Sequence, residues 1–281
     1  MGKNTAYLGP ALTFSEEAAL LYTGGEQGQM LACPTITSVF NAVEEGRAVQ
    51  GIVPIENSCE GSVNETLDLL AHDTDLIMTG EIIIPVKHNV LVREGISLNE
   101  VTHILSHPQA LAQCRKNLSY HLPGVQQLEV SSTAEAARLV ASSDQSWAAL
   151  ASSGAGKAYR LSVMITDAND YPGNETRFVV ISRVKNTCME GCKTSLVIHT
   201  QHKPGALYQC LHEFAARGIN LNKIESRPAR TRIGEYMFFI DIEGHTQSEP
   251  VNSALKALQT IARDLKILGS YPAAVRGGMV S

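Results

Sequence analysis

The stretch Asn174-Glu-Thr-Arg-Phe-Val-Val-Ile-Ser-Arg-Val184 places polar side chains directly before a run of β-branched and apolar residues. Such a run is typical of a buried strand, so Thr176 and Arg177 are expected where the strand meets open space. The guanidinium of Arg177 offers a fixed fork of donors that matches a carboxylate, and the neighbouring hydroxyl can donate to another oxygen. The pair indicates a site for an anionic small molecule. The alternative is a surface arginine beside a strand-favouring threonine, which is the commoner outcome for an isolated pair.

The rest of residues 4–184 alternates short apolar runs with helical patterns. Ala6-Tyr-Leu8 and Gln50-Gly-Ile-Val53 are strand-like, whereas Val39, Phe40 and Val43 have helical spacing. This alternation predicts an α/β domain with a mostly parallel sheet. The long apolar run of residues 76–92 can carry the chain into a second lobe, so we expect two lobes with a cleft between them.

Four polar segments lie at the carboxyl ends of predicted strands and the amino ends of predicted helices. They are Gly9-Pro10 with Thr13, Glu56-Asn57-Ser58, Ser106-His107-Pro108-Gln109 and Ser152-Ser153-Gly154. Open α/β sheets bind ligands at this edge, where free backbone N–H groups attract anions. Each segment alone is more often a helix cap. Together with Thr176 and Arg177 they indicate one anion-binding cleft.

A second fold pattern follows a polar segment that begins at Asn186. Thr194-Ser-Leu-Val-Ile-His-Thr200 is strand-like, Pro204-Gly205 introduces one helix and Ser248-Glu-Pro250 introduces another. The order βαββαβ predicts a ferredoxin-like domain. Both helices would cover one face of its sheet, leaving the other face or an edge for a partner.

Composition excludes several classes of protein. The 281 residues carry a formal net charge of -5 with a pI near 6.0, which argues against nucleic-acid binding. No apolar run approaches membrane-spanning length, and the amino terminus shows no signal-peptide pattern. We therefore expect a cytoplasmic protein with no membrane partner.

Two motifs that suggest a metal or a nucleotide do not fit their patterns. Cys188 and Cys192 are separated by three residues rather than two, and no other Cys or His pair has a spacing that would complete a metal site, so no metal is expected. Gly154-Ala-Gly-Lys157 lacks the first glycine and the final Ser or Thr of a phosphate loop. We expect no cofactor.

The polar segments together carry a resemblance to a known family. Tyr7-Leu-Gly-Pro10, Val53-Pro-Ile-Glu-Asn-Ser58, Ser106-His-Pro-Gln-Ala-Leu111 and Asn174-Glu-Thr-Arg-Phe178 resemble, in order, the catalytic motifs of bacterial prephenate dehydratases. Lys203-Pro-Gly-Ala-Leu207 and Ile224-Glu-Ser-Arg-Pro228 are similar to the phenylalanine-binding segments of the family's ACT domain. The resemblance covers residues 5–272.

The resemblance implies a domain plan. It places a catalytic domain of two periplasmic-binding-protein-like lobes at residues 1–185, with a passage near 80–90 and a return near 165–185. A linker at 186–193 then leads to a ferredoxin-like ACT regulatory domain at 194–274.

The resemblance also implies an activity, the decarboxylative dehydration of prephenate to phenylpyruvate in phenylalanine biosynthesis. Thr176 would donate to the departing hydroxyl, Arg177 would bind a carboxylate, and Glu56 is the rival acid if it is desolvated and neutral. The expected substrate-binding residues are Thr13, Asn57, Ser58, Ser106, Gln109 and Phe178.

For the ACT domain, the resemblance implies feedback inhibition by phenylalanine bound between paired domains of two subunits. We expect a homo-oligomer, either a dimer or a dimer of dimers. The expected phenylalanine-binding residues are Pro204, Gly205, Ala206, Leu207, Tyr208, Asn220, Leu221, Glu225, Ser226, Arg227 and Pro228.

One residue departs from the family pattern. Leu12 stands where a small residue usually precedes Thr13-Phe14. Leucine does not share the freedom of glycine at positive φ. We therefore expect the first loop to be reshaped and its contact with substrate altered.

Two other functions fit the same residues. One is an arogenate dehydratase, whose substrate carries an amino group in place of the keto oxygen. The other is a non-catalytic, two-lobed solute-binding protein fused to an amino-acid sensor. The adjacent Thr176 and Arg177, together with Glu56-Asn57-Ser58, favour catalysis.

Overall fold

The computed structural model describes residues 4–25, 30–185, 190–230, 232 and 234–274. The strands are β1 (Thr5–Leu8), β2 (Met30–Cys33), β3 (Gln50–Asn57), β4 (Gly61–Ser62), β5 (Ile77–Pro85), β6 (Asn89–Val92), β7 (His103–Ser106), β8 (Gln126–Glu129), β9 (Trp147–Ala151), β10 (Ser162–Ile165), β11 (Glu175–Ser182), β12 (Cys192–His199), β13 (Leu221–Pro228), β14 (Tyr236–Glu243) and β15 (Asp264–Pro272). The α-helices are α1 (Phe14–Tyr22), α2 (Ile36–Glu44), α3 (Asn64–Asp68), α4 (Pro108–Gln113), α5 (Arg115–His121), α6 (Thr133–Ser142), α7 (Ser153–Ala158), α8 (Ala206–Ala215) and α9 (Glu249–Ile261). A π-helical turn at Leu69–Asp73 extends α3, and a 3₁₀ turn lies at Leu98–Glu100.

The first sheet has the strand order β2-β1-β3-β11-β5, with β4 paired to β3. β1 is parallel to both of its neighbours, whereas β11 is antiparallel to β3 and β5. One face packs on α1 through residues such as Tyr7, Ile52 and Phe178. The opposite face carries Val53 and Val179 and packs on α2, on α3 and on the C-terminal part of the chain.

The second sheet has the order β10-β6-β9-β7-β8. The chain enters it from the first sheet between Pro85 and Asn89, and it returns between Ile165 and Glu175. The two connections lie side by side, because the Ala168 amide donates to the His88 carbonyl at 2.7 Å. The two sheets are therefore two lobes joined by a double crossing.

The third sheet has the order β13-β14-β12-β15, with α8 and α9 on one face around Phe214 and Leu258. This is the expected ferredoxin-like order of elements. Its other face is not left open, since Met237, Phe239 and Leu268 join the core beneath the first sheet. Of the surfaces that the sequence left for a partner, the edge strand β13 remains.

The predicted fold class, two α/β lobes followed by a ferredoxin-like ACT domain, is confirmed. The prediction of a mostly parallel sheet is only half right, because the crossing strands give each lobe antiparallel pairs as well as parallel ones. Cys188 lies outside the described residues. In the described ranges, no helix is long and apolar enough to cross a bilayer.

We predict that Gly269→Ala destabilises the junction between the first and third sheets. A Cβ at this position would lie 2.0 Å from the carbonyl oxygen of Met78, and backbone atoms cannot move aside as a side-chain tip can. The free energy of unfolding should fall by at least about 1–3 kcal/mol, the usual cost of overpacking. Urea denaturation measures this change. Gly154→Ala is the matched control, since its nearest neighbour would be the Ser152 hydroxyl at 3.7 Å, and in helix α7 it should not lower stability.

Candidate active site

Beside the connection that returns from the second lobe, one ladder position holds a pair of the expected residues. Asn57 and Thr176 lie opposite each other on β3 and β11. The Asn57 amide nitrogen donates to the Thr176 hydroxyl oxygen at 2.9 Å and to the Asn174 side-chain oxygen at 2.8 Å. Both residues were expected here, and the structure brings them together.

The Thr176 hydroxyl is oriented as a donor. Its oxygen accepts from Asn57, so its own hydrogen points elsewhere. In the described part of the chain, no protein acceptor takes that hydrogen. The residue is mostly buried, at 9% exposure, which shields the hydroxyl from competing water. This arrangement can deliver a hydrogen bond to one atom of a bound ligand.

Ser58 holds the return segment in place. Its backbone N–H donates to the Glu175 carbonyl at 2.9 Å, and its hydroxyl accepts from the Glu175 amide at 2.9 Å. The same hydroxyl donates to the Gly173 carbonyl at 3.3 Å. Ser58 therefore shapes the cleft wall, with its hydrogen-bonding capacity already occupied.

A chain of amides across the lobes was missed by the sequence reasoning. The Asn174 nitrogen donates to the Gln113 oxygen at 2.9 Å, and the Gln113 nitrogen donates to Glu60 at 2.8 Å. Asn174 stood within a quoted motif, so its part could have been inferred. Gln113 lies inside a helical pattern and gave no signal.

His88 is a second residue that the sequence did not single out. It lies in the crossing between lobes, is 4% exposed, and meets the Phe14 ring edge to face at 5.5 Å. Burial lowers the pKa of His88 to about 4, although Gln113 and Asp167 oppose the shift. Its Nδ1 atom has no partner among the described residues. The imidazole is therefore neutral near pH 7.

Arg177 requires a correction. Successive side chains on a strand point to opposite faces, so Arg177 faces away from Thr176. Its guanidinium donates to Glu81 and Asp241, both at 2.6 Å, and to the Tyr271 hydroxyl at 2.9 Å. These partners lie at the junction with the third sheet. Arg177 is therefore engaged there and does not reach a carboxylate in the cleft.

Glu56 requires the same correction, because it lies opposite Arg177 in the ladder and shares its face. Its carboxylate is 3.1 Å from the Lys223 ammonium and 3.7 Å from the Arg177 guanidinium. The neutral-acid role depended on apolar surroundings. In the structure the Glu56 carboxylate instead lies beside two cations, Lys223 and Arg177.

Three other expected substrate-binding residues make contacts within the protein itself. Ser106 is fully buried and donates to the Leu150 carbonyl at 2.6 Å, so it joins two strands. Phe178 is a core residue under α1 at 2% exposure. Thr13 donates to the Pro10 carbonyl at 2.9 Å within its own loop. Gln109 differs, since it is exposed at the start of α4 and no described side-chain bond engages its amide.

Leu12 adopts the positive φ that a small residue would tolerate, with a value of 66°. This conformation costs a residue with a Cβ roughly 1–2 kcal/mol. Two contacts with the second lobe offset it: the Leu12 side chain packs on the core around Leu91 and Leu105, and its carbonyl accepts from Ser152 at 3.4 Å. The departure from the family pattern thus becomes a lobe-to-lobe contact.

The C-terminal domain contains a cavity of about 560 Å³ at the start of α8. Its lining includes the expected residues Pro204, Gly205, Ala206, Leu207 and Tyr208. Tyr236 and Phe238 of β14 line it as well. Gly205 has a φ of 78°, which turns the chain into the helix. The structure therefore brings this first expected segment together around one space.

The second expected segment divides between two faces of β13. Glu225 and Arg227 point toward the first lobe, where Glu225 accepts from Ser62 and Arg227 donates to Asp68 at 2.9 Å. These two contacts correct their assignment to the ligand. Ser226 and Pro228 alternate with them and are exposed. Asn220 donates to Glu243 at 2.9 Å, and Leu221 packs against the helices; neither borders the cavity of its own chain.

We predict that His88 makes stability fall with acid. Its pKa is about 4 when folded and 6.5 when unfolded, so the unfolded chain binds more protons between these values. The contribution is present above pH 6.5 and is lost as pH falls toward 4. From pH 7 to pH 5 the free energy of unfolding should drop by about 2 kcal/mol on account of this residue. Urea denaturation at both pH values, with His88→Gln and the exposed His121→Gln as control, should show a smaller drop in His88→Gln alone.

Comparisons with known proteins agree with this architecture. The family model described as prephenate dehydratase matches residues 5–186, and the ACT domain model matches residues 194–259. The bifunctional chorismate mutase/prephenate dehydratase of Aquifex aeolicus is 43% identical over 96% of this chain and 74% of its own length. The prephenate dehydratase of Methanocaldococcus jannaschii is 39% identical over 97% of this chain and 99% of its own length. A crystal structure of the Arthrobacter aurescens prephenate dehydratase in complex with L-Phe superposes with a TM-score of 0.87 and 34% identity, covering 96% of this chain and 90% of that one. This chain belongs to the prephenate dehydratase family.

Proposed function

We propose that the protein is a cytoplasmic enzyme that converts prephenate to phenylpyruvate, with residues 1–185 catalytic and residues 194–274 regulatory. The observation that carries the proposal is the Thr176 hydroxyl, which Asn57 fixes as a free donor inside the cleft. The family membership supplies the substrate. An assay for phenylpyruvate formed by the purified protein, with arogenate as the comparison substrate, tests it.

The reaction requires the protein to orient the substrate and to supply one hydrogen-bond donor. Prephenate loses carbon dioxide from its ring carboxylate, the freed electron pair enters the ring, and the ring hydroxyl departs. Because the ring becomes aromatic, the driving force lies in the substrate. A hydroxide is a poor leaving group, so a hydrogen bond from Thr176 stabilises the charge that develops on its oxygen. The departing hydroxide then takes a proton from solvent and becomes water.

The substrate carboxylates need donors other than Arg177. Gln109 is the remaining candidate from the second lobe, since its amide is exposed at the start of α4 and has no side-chain partner among the described residues. It can donate to one carboxylate while Thr176 in the first lobe meets the hydroxyl. A ligand held in this way contacts both lobes.

The regulatory part of the proposal places L-phenylalanine in the cavity at the start of α8. The cavity of about 560 Å³ suits an amino acid, and the exposed Tyr208 and Tyr236 border it. Asn220 and Leu221 lie elsewhere on the domain, so they would complete the site from a second subunit. The Arthrobacter relative is a complex with L-Phe. A dimer, or a dimer of dimers, follows from this arrangement.

We predict that Thr176→Ala lowers kcat for prephenate by about 10²–10⁴-fold, the usual contribution of a positioned proton donor. KM should change little, because the hydroxyl acts on a charge that develops only in the transition state. Steady-state kinetics with phenylpyruvate detection measures both constants.

Thr176→Ser is the matched control, since it keeps the hydroxyl and should retain most of the turnover. Asn57→Ala removes the group that orients the hydroxyl and should give an intermediate loss. Turnover in Thr176→Ala at the level of Thr176→Ser would contradict the proposed donor.

A further prediction concerns the regulatory cavity. Gly205→Val forces a β-branched residue into a left-handed turn, which shifts the backbone that lines the cavity. Calorimetric titration should show L-phenylalanine binding weakened at least about tenfold, as a loss of roughly 1.4 kcal/mol gives. Gly46→Val is the control, because Gly46 has a similar φ of 75° in a turn remote from the cavity. Equal binding by both variants would remove L-phenylalanine from this site.

A further inference from the structure

Adjacent residues on two paired strands face two different parts of the molecule. On β11, Thr176 faces the cleft and Arg177 faces the third sheet. On β3, Asn57 faces the cleft and Glu56 faces Lys223 of the third sheet. One peptide unit therefore separates each cleft residue from a residue that touches the C-terminal domain.

Arg177 is held from both sides of this junction. Its Nε donates to Glu81 of the first sheet at 2.6 Å. Its two terminal nitrogens donate to Asp241 at 2.6 Å and to Tyr271 at 2.9 Å, both on the third sheet. Every nitrogen of the guanidinium thus has a partner, and two of the three partners belong to the C-terminal sheet.

Those two partners are themselves fixed. The Ser195 hydroxyl donates to Asp241 and lies in hydrogen-bonding contact with the Tyr271 hydroxyl. Burial raises the pKa of Tyr271, so the phenol stays neutral. Burial alone would lower the pKa of Arg177, but the carboxylates of Asp241 and Glu81 raise it overall, so the guanidinium stays charged.

A buried charge is costly to separate from its partners. A movement of the third sheet must therefore break the bonds to Asp241 and Tyr271, or it must carry Arg177 along. The backbone of Arg177 is bonded into ladders with β3 and β5, so a displacement there reaches Thr176 through one peptide unit. A shift of about 1 Å at a reacting group can change a rate by ~10²-fold.

We propose that Asp241 and Tyr271 of the C-terminal sheet are positioning residues for the reaction in the cleft. Through Arg177 they set the position of the Thr176 hydroxyl, and they transmit the state of the C-terminal domain to it. The inference rests on the proposed role of Thr176. It gives Arg177 a part in catalysis without contact with the substrate.

Tyr271→Phe tests this directly, because it removes the hydroxyl that Arg177 contacts and keeps the buried ring. We expect kcat for prephenate to fall about tenfold, the order that one hydrogen bond to a charged group supplies. KM should stay within about twofold, since no substrate contact changes. Calorimetry should show unchanged L-phenylalanine binding, whereas the inhibition that it produces should decrease. Ser195→Ala, which loosens both partners without removing either, should change kcat in the same direction by less.

Lys266→Met is the matched control at the same junction. Lys266 donates to the carbonyls of Ala71 at 3.3 Å and Thr74 at 2.8 Å, so it joins the two parts without contacting Arg177. It should lower the melting temperature and leave kcat and inhibition at wild-type values. Equal kcat in Tyr271→Phe and Lys266→Met would overturn the inference.

Arg177→Lys separates positioning from substrate binding. We expect this variant to have a lower kcat and an unchanged KM, because a lysine ammonium cannot hold the three partners of the guanidinium in the same geometry. A raised KM with kcat retained would place Arg177 on the substrate and overturn the inference. Failure of the proposed function is a different result, in which the wild-type protein does not convert prephenate or Thr176→Ala turns over normally.

Discussion

The whole arrangement depends on the alternation of side chains along β11. A strand sends successive side chains to opposite faces of its sheet, so adjacent residues cannot meet the same small ligand. In this chain the Thr176 side chain contacts Asn57, and the Arg177 side chain contacts Asp241 at the junction with the third sheet. The central place of β11, between β3 and β5, makes both contacts part of one rigid ladder.

The same alternation explains which parts of the site the sequence could predict. Period-2 and period-3.6 patterns predicted the elements of both lobes and the order of the ferredoxin-like domain, and the strand-end segments located Asn57 and Thr176 near a cleft. Thr176 and Arg177 were predicted to bind one ligand because they are adjacent in sequence, but their side chains lie on opposite faces of β11. The alternation of side chains along a strand argues against a shared ligand. The same alternation places Glu56 and Asn57 on opposite faces of β3. Gln113 and His88 were unpredictable for another reason: their contacts arise only when two lobes, distant in sequence, close on each other.

The packing of the third sheet was likewise beyond the sequence. An isolated ferredoxin-like domain leaves one sheet face free, and the apolar residues on that face do not say what covers it. Here the first lobe covers it, with Met237 and Phe239 joining its core. The close approach of Gly269 to the Met78 backbone shows how little space separates the two parts. In the sequence, a glycine at this position suggests a flexible turn. In the structure, glycine is needed because a side chain would collide with the Met78 backbone.

This junction limits how a regulatory signal could travel. A ligand shifts an equilibrium only by its differential affinity for two states. A close-packed junction with buried charges has discrete arrangements and deforms little between them. Lys193 and Arg177 share Glu81, so a displacement of either cation disturbs the ion pair of the other. A change in the C-terminal domain therefore reaches the cleft as a movement of the whole third sheet against β5 and β11, and the strand that carries Thr176 is the one that receives it.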